Sequence, residues 1–404
     1  MKPGRPERRA WLGPCSTRRH QHPGRAGRRA AGERMKSEAE TGHGGRIDLA
    51  NLERTELEEL LRARGVEPFR AAQLLRWIYK RGITDFDRMT DLSKALRASF
   101  REIFAISTPR CVACDRSTDG IEKFLLELSD GWRVESVYIP DTPGWTFCVS
   151  TQVGCAMKCG FCLTGKMGLV RNLTAAEIAA QVRVLAAELG LLDARFTVVL
   201  MGMGEPLHNY DQTMKALRIL GDPAGLALSP RRVTLSTVGV VPGLDRLAQE
   251  PYMPNLAVSL HATTEAQRDL LVPLNRKYTI ADIVDACRRF PLKRRSRITF
   301  EYVLLAGVND SPEDAGRLVR LLAGLRAKVN LIPLNEAAGI PYHRPTDEAV
   351  NRFAQILADH RLTVSVRKSR GRDIRAACGQ LIVEGPARSA GQRLAIAMGD
   401  GGPG

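Results

Sequence analysis

Seven short runs of β-branched and other apolar residues alternate with amphipathic helical stretches from residue 145 onward. The runs are TFCVST, FTVVLMG, RRVTLST, NLAVSLH, RITFEYVLL, KVNLIPLN and LTVSVRK. Between them, helical periodicity predicts helices near residues 174–189, 210–220, 264–271, 280–289, 313–325 and 347–359. Because strands that alternate with helices form parallel sheets, the chain is predicted to have an α/β fold whose sheet is open or curled into a barrel.

Polar or glycine-rich residues follow several of these runs. In open and barrel-shaped parallel sheets, ligands bind at the carboxyl ends of the strands. We therefore expect the chemistry of this chain at those ends. The residues concerned are Gly202 to Glu205, Ser236 and Thr237, Ser259 to His261, and Asn335.

Three cysteines stand close together directly after the first run. Cys155, Cys159 and Cys162 are spaced C-x3-C-x2-C on one loop, and thiolates so arranged can converge on one face of an iron–sulfur cluster. A four-iron cluster held by three thiolates keeps one iron open to a substrate or cofactor. The alternative is a zinc site completed by Cys148 or a histidine. It is less favoured because Cys148 lies within a predicted strand and because zinc spacing usually joins two C-x2-C-like knuckles.

The remaining cysteines and the hydropathy limit the class of protein. The chain has nine cysteines, and an odd number without an export signal indicates reduced thiols in a cytosol. Cys111 and Cys114 are interpreted as ordinary buried or edge thiols, and Cys287 as a core residue. No window approaches the roughly 20 apolar residues of a membrane span. Secreted and transmembrane classes are therefore excluded.

Residues 47–104 predict a small helical module. Leu57, Leu60 and Leu61 share a helix face that stops at Gly65, a second helix is expected over 69–81, and a third after Thr90. The outward faces are basic, which suits contact with RNA. The basic residues are Arg62, Arg64, Arg70, Arg76, Lys80, Arg81 and Arg97.

Residues 108–140 predict antiparallel strands. Asp119-Gly120 and Asp130-Gly131 are dipeptides that hairpin turns prefer, since glycine adopts a positive φ at little cost. In the run WRVESVYIP, Glu135 shares one strand face with Val137 and Ile139.

The positive charge is concentrated at the N-terminus. Residues 1–34 contain ten Lys and Arg against two acids, so they supply +8 of the net charge of +16. This Gly- and Pro-rich segment is predicted to be a disordered arm. It could bind RNA, serve as a transit peptide, or result from a misassigned start. We favour the last, with Met35 as the true beginning, because transit peptides need more hydroxyl residues.

The motifs together resemble a known family. The C-x3-C-x2-C loop and the segment GMGEP resemble radical S-adenosylmethionine (SAM) enzymes. The longer strings CVSTQVGCAMKCGFCLTGKMGLVRNLT, LMGMGEPLHNY, VTLSTVGVVPGL, AVSLHA, LIPLN and VRKSRGRDIRAACGQL resemble the ribosomal and transfer RNA adenine-C2 methyltransferases. The resemblance covers roughly residues 47–385. It implies a partial (β/α)6-type radical SAM barrel with a small N-terminal helical domain and a short β-hairpin extension.

The resemblance also implies a domain order. It comprises a basic disordered extension (1–46), a helical RNA-binding accessory domain (47–107), a β-hairpin linker (108–144), the radical SAM barrel (145–385) and a flexible tail (386–404).

The same resemblance assigns two cofactors and their contacts. It implies a [4Fe-4S] cluster on Cys155, Cys159 and Cys162, and two SAM molecules per turnover, one as methyl donor and one as radical source. The implied SAM contacts are Gly204, Glu205, Ser236, Ser259, Leu260, His261 and Asn335.

Three further residues have implied catalytic roles. Cys378 would be methylated by one SAM and would then lose a hydrogen to the radical, after which the resulting methylene adds to adenine C2. Glu135 would remove the C2 proton from this adduct. Cys148 would attack Cys378 and release the methylated base through a transient Cys148–Cys378 disulfide.

The implied partners are 23S ribosomal RNA and transfer RNA, together with a low-potential electron donor such as flavodoxin or ferredoxin. A cytoplasmic monomer that contacts no membrane is expected. Two alternatives stay open: a sibling enzyme that methylates adenine C8 of 23S ribosomal RNA and shares the same cysteines, and a non-catalytic zinc protein that binds RNA.

Overall fold

The computed structural model describes residues 41–383 except 43–44, 141–143, 295 and 368–369. The basic extension up to residue 40, with Met35, and the tail from residue 386 lie outside the described residues. None of the helices within the described ranges is long and apolar enough to cross a membrane.

The main sheet has ten strands and includes all seven predicted runs. The strands that these runs form are β7 (Trp145–Cys148), β10 (Phe196–Leu200), β11 (Val233–Thr237), β12 (Asn255–Ser259), β13 (Ile298–Leu304), β14 (Ala327–Pro333) and β15 (Thr363–Val366). All adjacent pairs from β7 to β15 are parallel, in the order β7-β10-β11-β12-β13-β14-β15. The expected α/β barrel-type sheet is confirmed, with β15 as a seventh parallel strand at one edge.

The region expected as a β-hairpin linker contributes three strands to this same sheet. They are β4 (Arg110–Arg116), β5 (Glu122–Glu127) and β6 (Arg133–Ile139). The predicted glycine turns are confirmed, since Gly120 and Gly131 have φ of 86° and 82°. Strand β6 pairs antiparallel with β7, so that Val137 lies opposite Cys148. Both faces of β6 are buried, because Ser136 packs toward Gln181 of the helix Ala175–Glu188 and Glu135 toward Ile382 of the C-terminal segment.

Helices cover the parallel sheet, and all but the one at Val241–Leu247, which was not predicted, lie close to their predicted places. They are α5 (Ala175–Glu188), α6 (Tyr210–Gly221), α7 (Val241–Leu247), α8 (Glu265–Leu271), α9 (Ile280–Arg289), α10 (Pro312–Leu321) and α11 (Asp347–Asp359). Capping boxes start α5, α9 and α10. Helix α10 ends four residues before the predicted boundary at 325, and Gly324 follows with a φ of 77°, which favours a turn there.

A short hairpin brackets the cysteine loop. Strands β8 (Gln152–Gly154) and β9 (Leu169–Asn172) pair antiparallel, and helix α4 (Leu163–Met167) lies between them. Periodicity alone did not predict this pair, because both strands have only three or four residues.

The N-terminal module has the predicted helical character. Its helices are α1 (Arg54–Arg62), α2 (Arg70–Leu75) and α3 (Lys94–Ile103), and three very short strands, β1 (Thr41–Gly42), β2 (Arg46–Asp48) and β3 (Phe104–Ala105), form its own small sheet. The predicted second helix continues beyond α2 as a π-helical turn over Arg76–Lys80. The third helix begins at Lys94 because the Ser93 hydroxyl accepts a hydrogen bond from the Leu96 amide.

The module packs directly against α5 and α6. Arg54 pairs with Asp222 at the end of α6, and Arg218 of α6 pairs with Glu53 at 2.8 Å. One continuous hydrophobic core includes Tyr79 of the module and residues of the main sheet. The module is therefore fixed to the barrel by packing as well as by ion pairs.

Candidate active site

One cavity at the carboxyl ends of the parallel strands gathers most of the predicted site residues. Its lining includes the three loop cysteines, Gly204, Glu205, Ser236, Ser259, His261, Asn335 and Cys378. Arg367 and Glu301, which the sequence did not single out, line it as well. Side chains from five strand ends, the cysteine loop and the C-terminal segment therefore meet at one place.

The cysteine loop is held by backbone hydrogen bonds. The Cys155 amide donates to the Gly168 carbonyl at 2.9 Å, and the Gly160 amide donates to the Leu271 carbonyl at 3.0 Å. Gly154 has a φ of 76°, and a Cβ there would overlap the Gly168 carbonyl, so glycine is required at the hairpin that closes the loop. The sequence folds this loop into a fixed turn that directs its thiols into the cavity.

Burial raises the pKa of all three loop thiols. The pKa of Cys155 is raised to about 12, and that of Cys159 lies well above its usual value. Burial also raises the pKa of Cys162, against opposing hydrogen bonds from Thr164 and Gly165. A buried thiolate needs a positive partner, and coordinated iron supplies one. These thiols therefore suit metal binding better than free nucleophilic chemistry.

The segment Gly202 to Glu205 forms a tight cradle. A Cβ on Gly204, whose φ is 105°, would lie 2.7 Å from the Gln152 Cβ, and one on Gly202 would lie 2.7 Å from the Val149 carbonyl. Only glycine fits at these two positions, so the backbone itself borders the cavity.

Glu205 is buried and fully oriented by backbone donors. Its Oε1 accepts from the Leu207 amide at 3.0 Å, and its Oε2 accepts from the Val238 amide at 2.8 Å. Burial raises the pKa of Glu205 to about 7, while these hydrogen bonds act in the opposite direction. The carboxyl is thus positioned as an acceptor or donor toward a polar ligand in the cavity.

The next strand ends supply neutral polar groups. The Ser236 and Ser259 hydroxyls lie 3.4 Å apart on neighbouring strands. The His261 Nδ1 accepts from the Val303 amide at 3.1 Å, and burial lowers the pKa of His261 to about 3, so the ring is neutral. His261 has a φ of 60°, a strained backbone conformation of the kind that clusters at functional sites.

Asn335 and Leu260 differ in how they relate to the cavity. The Asn335 Oδ1 is buried in the cavity wall and has no hydrogen-bond partner among the described residues. Leu260 does not line the cavity: its side chain lies in the hydrophobic core, its amide donates to the Glu301 carbonyl, and its carbonyl accepts from Arg268. A buried acceptor without a hydrogen bond destabilises the folded state by about 1–3 kcal/mol. The Asn335 Oδ1 is therefore available to a ligand that donates a hydrogen bond.

The segment that carries Cys378 is anchored at several points. The Gly379 carbonyl accepts from the Leu163 amide at 2.8 Å, and the Leu381 carbonyl accepts from the Thr164 hydroxyl at 2.6 Å. Both donors belong to helix α4, which directly follows Cys162. The half-buried Cys378 is therefore held beside the cysteine loop.

Glu135 and Cys148 lie next to this segment and do not line the cavity. The Glu135 Oε2 accepts from the Ile382 amide at 2.9 Å, and its Oε1 pairs with the Lys123 Nζ at 2.9 Å. Burial raises the pKa of Glu135, and Lys123 opposes that rise.

Cys148, at the end of β7, interacts electrostatically with Cys378. Burial, and secondarily Cys378, raises the pKa of Cys148 to about 12. The eight cysteines among the described residues are all free thiols.

Sequence reasoning missed Lys123 and Arg367. Lys123 is one of three charged residues in β5, and only the antiparallel register of β5 and β6 brings it to Glu135. Arg367 follows the edge strand β15, and its pKa is raised chiefly by the nearby Cys378 thiol. A basic residue directly after a strand that ends at the cavity is the one signal that could have identified Arg367.

Comparison with known proteins identifies the family. The family model described as Ribosomal RNA large subunit methyltransferase N-terminal domain matches residues 47–106, and that of the Radical SAM superfamily matches residues 149–319. Two proteins named dual-specificity RNA methyltransferase RlmN, from Geobacter sulfurreducens and Syntrophotalea carbinolica, are 50% and 51% identical to this chain. Each match covers 83% of this chain, and 92% and 90% of the respective relative. The chain belongs to the RlmN family.

A solved crystal structure supports the same assignment. The crystal structure of a radical SAM methyltransferase from Sphaerobacter thermophilus is 47% identical, with a TM-score of 0.79, and the match covers 83% of this chain and 98% of that chain. As a radical SAM protein of the RlmN family, this chain uses a [4Fe-4S] cluster and SAM. The residues present fit both groups. Two buried thiols and one half-buried thiol on one loop suit the cluster, and the glycine cradle with the Asn335 Oδ1 suits SAM. Family membership excludes the non-catalytic zinc protein.

Proposed function

We propose that this RlmN-family chain methylates C2 of a specific adenine in 23S ribosomal RNA and in transfer RNA. The relatives' name, dual-specificity RNA methyltransferase, supports the choice of RNA. The observation that carries the proposal is that Cys378 lines the same cavity as Cys155, Cys159 and Cys162. A nucleophilic thiol beside a radical-generating centre is the combination that an unactivated aromatic carbon requires.

In this proposal the [4Fe-4S] cluster and SAM bind in the cavity at the carboxyl ends of the parallel strands. Cys155, Cys159 and Cys162 ligate the [4Fe-4S] cluster, and Gly204, Glu205, Ser236, Ser259, His261 and Asn335 contact SAM. The bound cofactors supply methyl transfer from one SAM and hydrogen abstraction through reductive cleavage of a second, so each turnover uses two. Leu260 contributes by filling the core beneath Ser259 and His261.

The thiols and one carboxylate complete the reaction. Cys378 receives the methyl group and presents its carbon to adenine C2. Glu135 accepts the C2 proton, a role that fits a buried carboxylate hydrogen-bonded to the Cys378 segment at Ile382. Cys148 then loses its proton and attacks the Cys378 sulfur. The disulfide forms as the bond from that sulfur to the methylene carbon breaks, and the carbon takes up a proton to become the methyl group of the released base. The pKa of Cys148 is raised in part by Cys378, so the two thiols lie near each other, which supports this step.

The RNA partner would contact the N-terminal module. Arg76, Lys80 and Arg81 are exposed there, and basic side chains neutralise phosphates. Chemistry on a base requires that the adenine lie in a loop or leave its stack. We further propose that the protein acts as a cytoplasmic monomer, with flavodoxin or ferredoxin as its low-potential electron donor.

Nucleoside mass spectrometry tests the reaction. Anaerobic, cluster-reconstituted protein is incubated with SAM, a reductant and an unmodified transcript of 23S ribosomal RNA or transfer RNA. We expect 5′-deoxyadenosine and 2-methyladenosine from both RNAs. The appearance of 8-methyladenosine alone would establish the C8 alternative, and formation of neither methylated nucleoside would overturn the proposal.

A further inference from the structure

Lys123 is a buried cation that the reaction outlined above leaves without a role. It lies on β5, and its Nζ is 2.9 Å from the Glu135 Oε1 on β6. Both side chains are nearly enclosed, with exposed fractions of 11% and 7%. Burial of a charged pair is costly unless its geometry is specific, so this pair is unlike the exposed ion pairs elsewhere on the sheet.

Lys123 also has a second carboxylate partner. The Asp115 Oδ2 on β4 lies 3.5 Å from the same Nζ, and 54% of the Asp115 side chain is exposed. The three residues thus form a row across β4, β5 and β6, from the surface to Glu135. When Glu135 is protonated, the Lys123 charge keeps a partner in Asp115.

We propose that Lys123, held between Glu135 and Asp115, is a positioning residue that keeps Glu135 ionised and aimed for proton removal from the RNA adenine. This inference rests on the proposed function, in which Glu135 is the base. Lys123 itself touches neither the RNA nor the cofactors in this scheme. It acts through Glu135.

The groups that face Glu135 are few. Lys123 approaches from β5 and Asp115 from β4, and the Ile382 amide approaches from the C-terminal segment. On the side of the barrel, Met203 Sδ and the Ser150 hydroxyl contact only the Glu135 backbone. Burial disfavours the charged carboxylate most, Lys123 and the Ile382 amide favour it, and Asp115 disfavours it more weakly. The charge of Glu135 is therefore set by burial against Lys123, and Asp115 makes a smaller contribution.

Room for the proton remains on the carboxylate. A carboxylate accepts about four hydrogen bonds, and Lys123 and Ile382 occupy one site on each oxygen. In the proposed step the C2–H bond of the adduct breaks, its electron pair stays in the adenine ring, and the proton passes to a free lone pair of Glu135. Because the methylene adds as a radical, the adduct also loses one electron, which the bound cluster would accept, so no further oxidant is needed.

The arrangement of Asp115, Lys123 and Glu135 predicts opposite effects for two substitutions. In single-turnover assays, the covalent protein–RNA adduct is followed on denaturing gels across a pH series. Lys123→Met should move the pH profile of adduct resolution to higher pH by about one unit or more and slow resolution at pH 7 about tenfold. Asp115→Asn, at an exposed position, should move the same profile to lower pH. Formation of 5′-deoxyadenosine should stay unchanged in both.

Two further variants distinguish a positioning role of Lys123 from a purely structural one. Lys123→Arg keeps the charge and should retain most of the wild-type pH profile of adduct resolution. Arg133 lies on the same strand as Glu135 and forms a part-buried ion pair with Glu127 of β5; Arg133→Gln removes this pair and should change nothing. If Lys123→Met does not fold, the shift of Asp115→Asn and the retained profile of Lys123→Arg still decide the matter.

The outcomes distinguish this inference from the proposed function. If Glu135→Gln traps adduct while neither Lys123→Met nor Asp115→Asn moves the profile, the role of Lys123 is refuted and the base assignment stands. If Glu135→Gln resolves adduct at the wild-type rate, the base assignment itself fails.

Discussion

The backbone amide of Ile382 donates a 2.9 Å hydrogen bond to the Oε2 of Glu135. These residues are separated by 247 positions in the chain, and the bond joins the inserted antiparallel part of the sheet to the segment that carries Cys378. A hydrogen bond to a charged acceptor contributes about 1.5–3 kcal/mol. Glu135 therefore also anchors the Cys378 segment.

Removal of this one donor should loosen the segment. Ile382→Pro deletes the amide hydrogen, whereas Ile382→Ala keeps it and serves as the matched control. We expect hydrogen exchange over residues 376–383 to be faster in Ile382→Pro than in Ile382→Ala. Equal exchange in the two variants would contradict an anchoring role for Glu135.

Substitution of Cys378 and substitution of Cys148 should stop the reaction at different stages. With Cys378→Ala, no methylated cysteine and no covalent RNA adduct should form, because the acceptor sulfur is missing. With Cys148→Ala, peptide mapping should show methylated Cys378, and adduct should accumulate because the releasing thiol is absent. Cys287→Ala, a core thiol remote from the cavity, is the control. Full turnover by Cys148→Ala would refute the disulfide step.

Asn335 should matter for cofactor affinity and not for folding. Since its Oδ1 is buried without a partner, Asn335→Leu should leave the free energy of unfolding unchanged or raise it by about 1 kcal/mol. SAM binding to the reconstituted protein should weaken about tenfold or more, as measured by equilibrium dialysis with labelled SAM. Unaltered SAM affinity would remove Asn335 from the proposed SAM contacts.

Glu205 should make stability depend on pH. The folded-state pKa of about 7 exceeds the ordinary value of 4.5, so the folded protein binds more protons between these pH values. The contribution of Glu205 to stability is therefore present below pH 4.5 and is lost as the pH rises toward 7, by up to about 3 kcal/mol.

Glu205→Gln should lack this dependence. Urea unfolding of both proteins at a series of pH values measures it, and the stability difference should change in favour of the variant as pH rises. Neutral His261 contributes the opposite slope below its ordinary pKa of 6.5, and it does so in both proteins, so it cancels in the comparison. Parallel curves would show that the Glu205 carboxyl is not perturbed by burial.

The N-terminal module should contribute to RNA affinity through phosphate contacts. Alanine at Arg70, Arg76 and Lys80 together should weaken RNA binding and flatten its dependence on salt, by about 2–3 units in the log–log slope. Alanine at Arg288, Arg289 and Lys293, near the end of α9, removes the same charge elsewhere. If both triple variants bind alike, the module has no specific role in RNA contact.

Much of the candidate site could be predicted from local sequence. The loop spacing of Cys155, Cys159 and Cys162 and the polar strand ends at Glu205, Ser236 and Asn335 indicated one edge of a parallel sheet, and these side chains do line one cavity. The prediction succeeded because parallel strands carry their carboxyl ends to the same edge whatever the details of the sheet. Local sequence did not distinguish Leu260 from Ser259 and His261. These two neighbours face the cavity, whereas the Leu260 side chain enters the core.

The amino-acid sequence by itself determined the βα order, the helical module and the thiols that line the cavity, because these depend on periodicity and short-range spacing. Tertiary structure alone decided that β4 to β6 extend the main sheet, that Lys123 pairs with Glu135, and that Ile382 holds the Cys378 segment. These contacts join residues on different strands or at opposite ends of the domain. The contacts stabilise the fold only after strand register and burial have been established, and no local sequence pattern specifies register or burial.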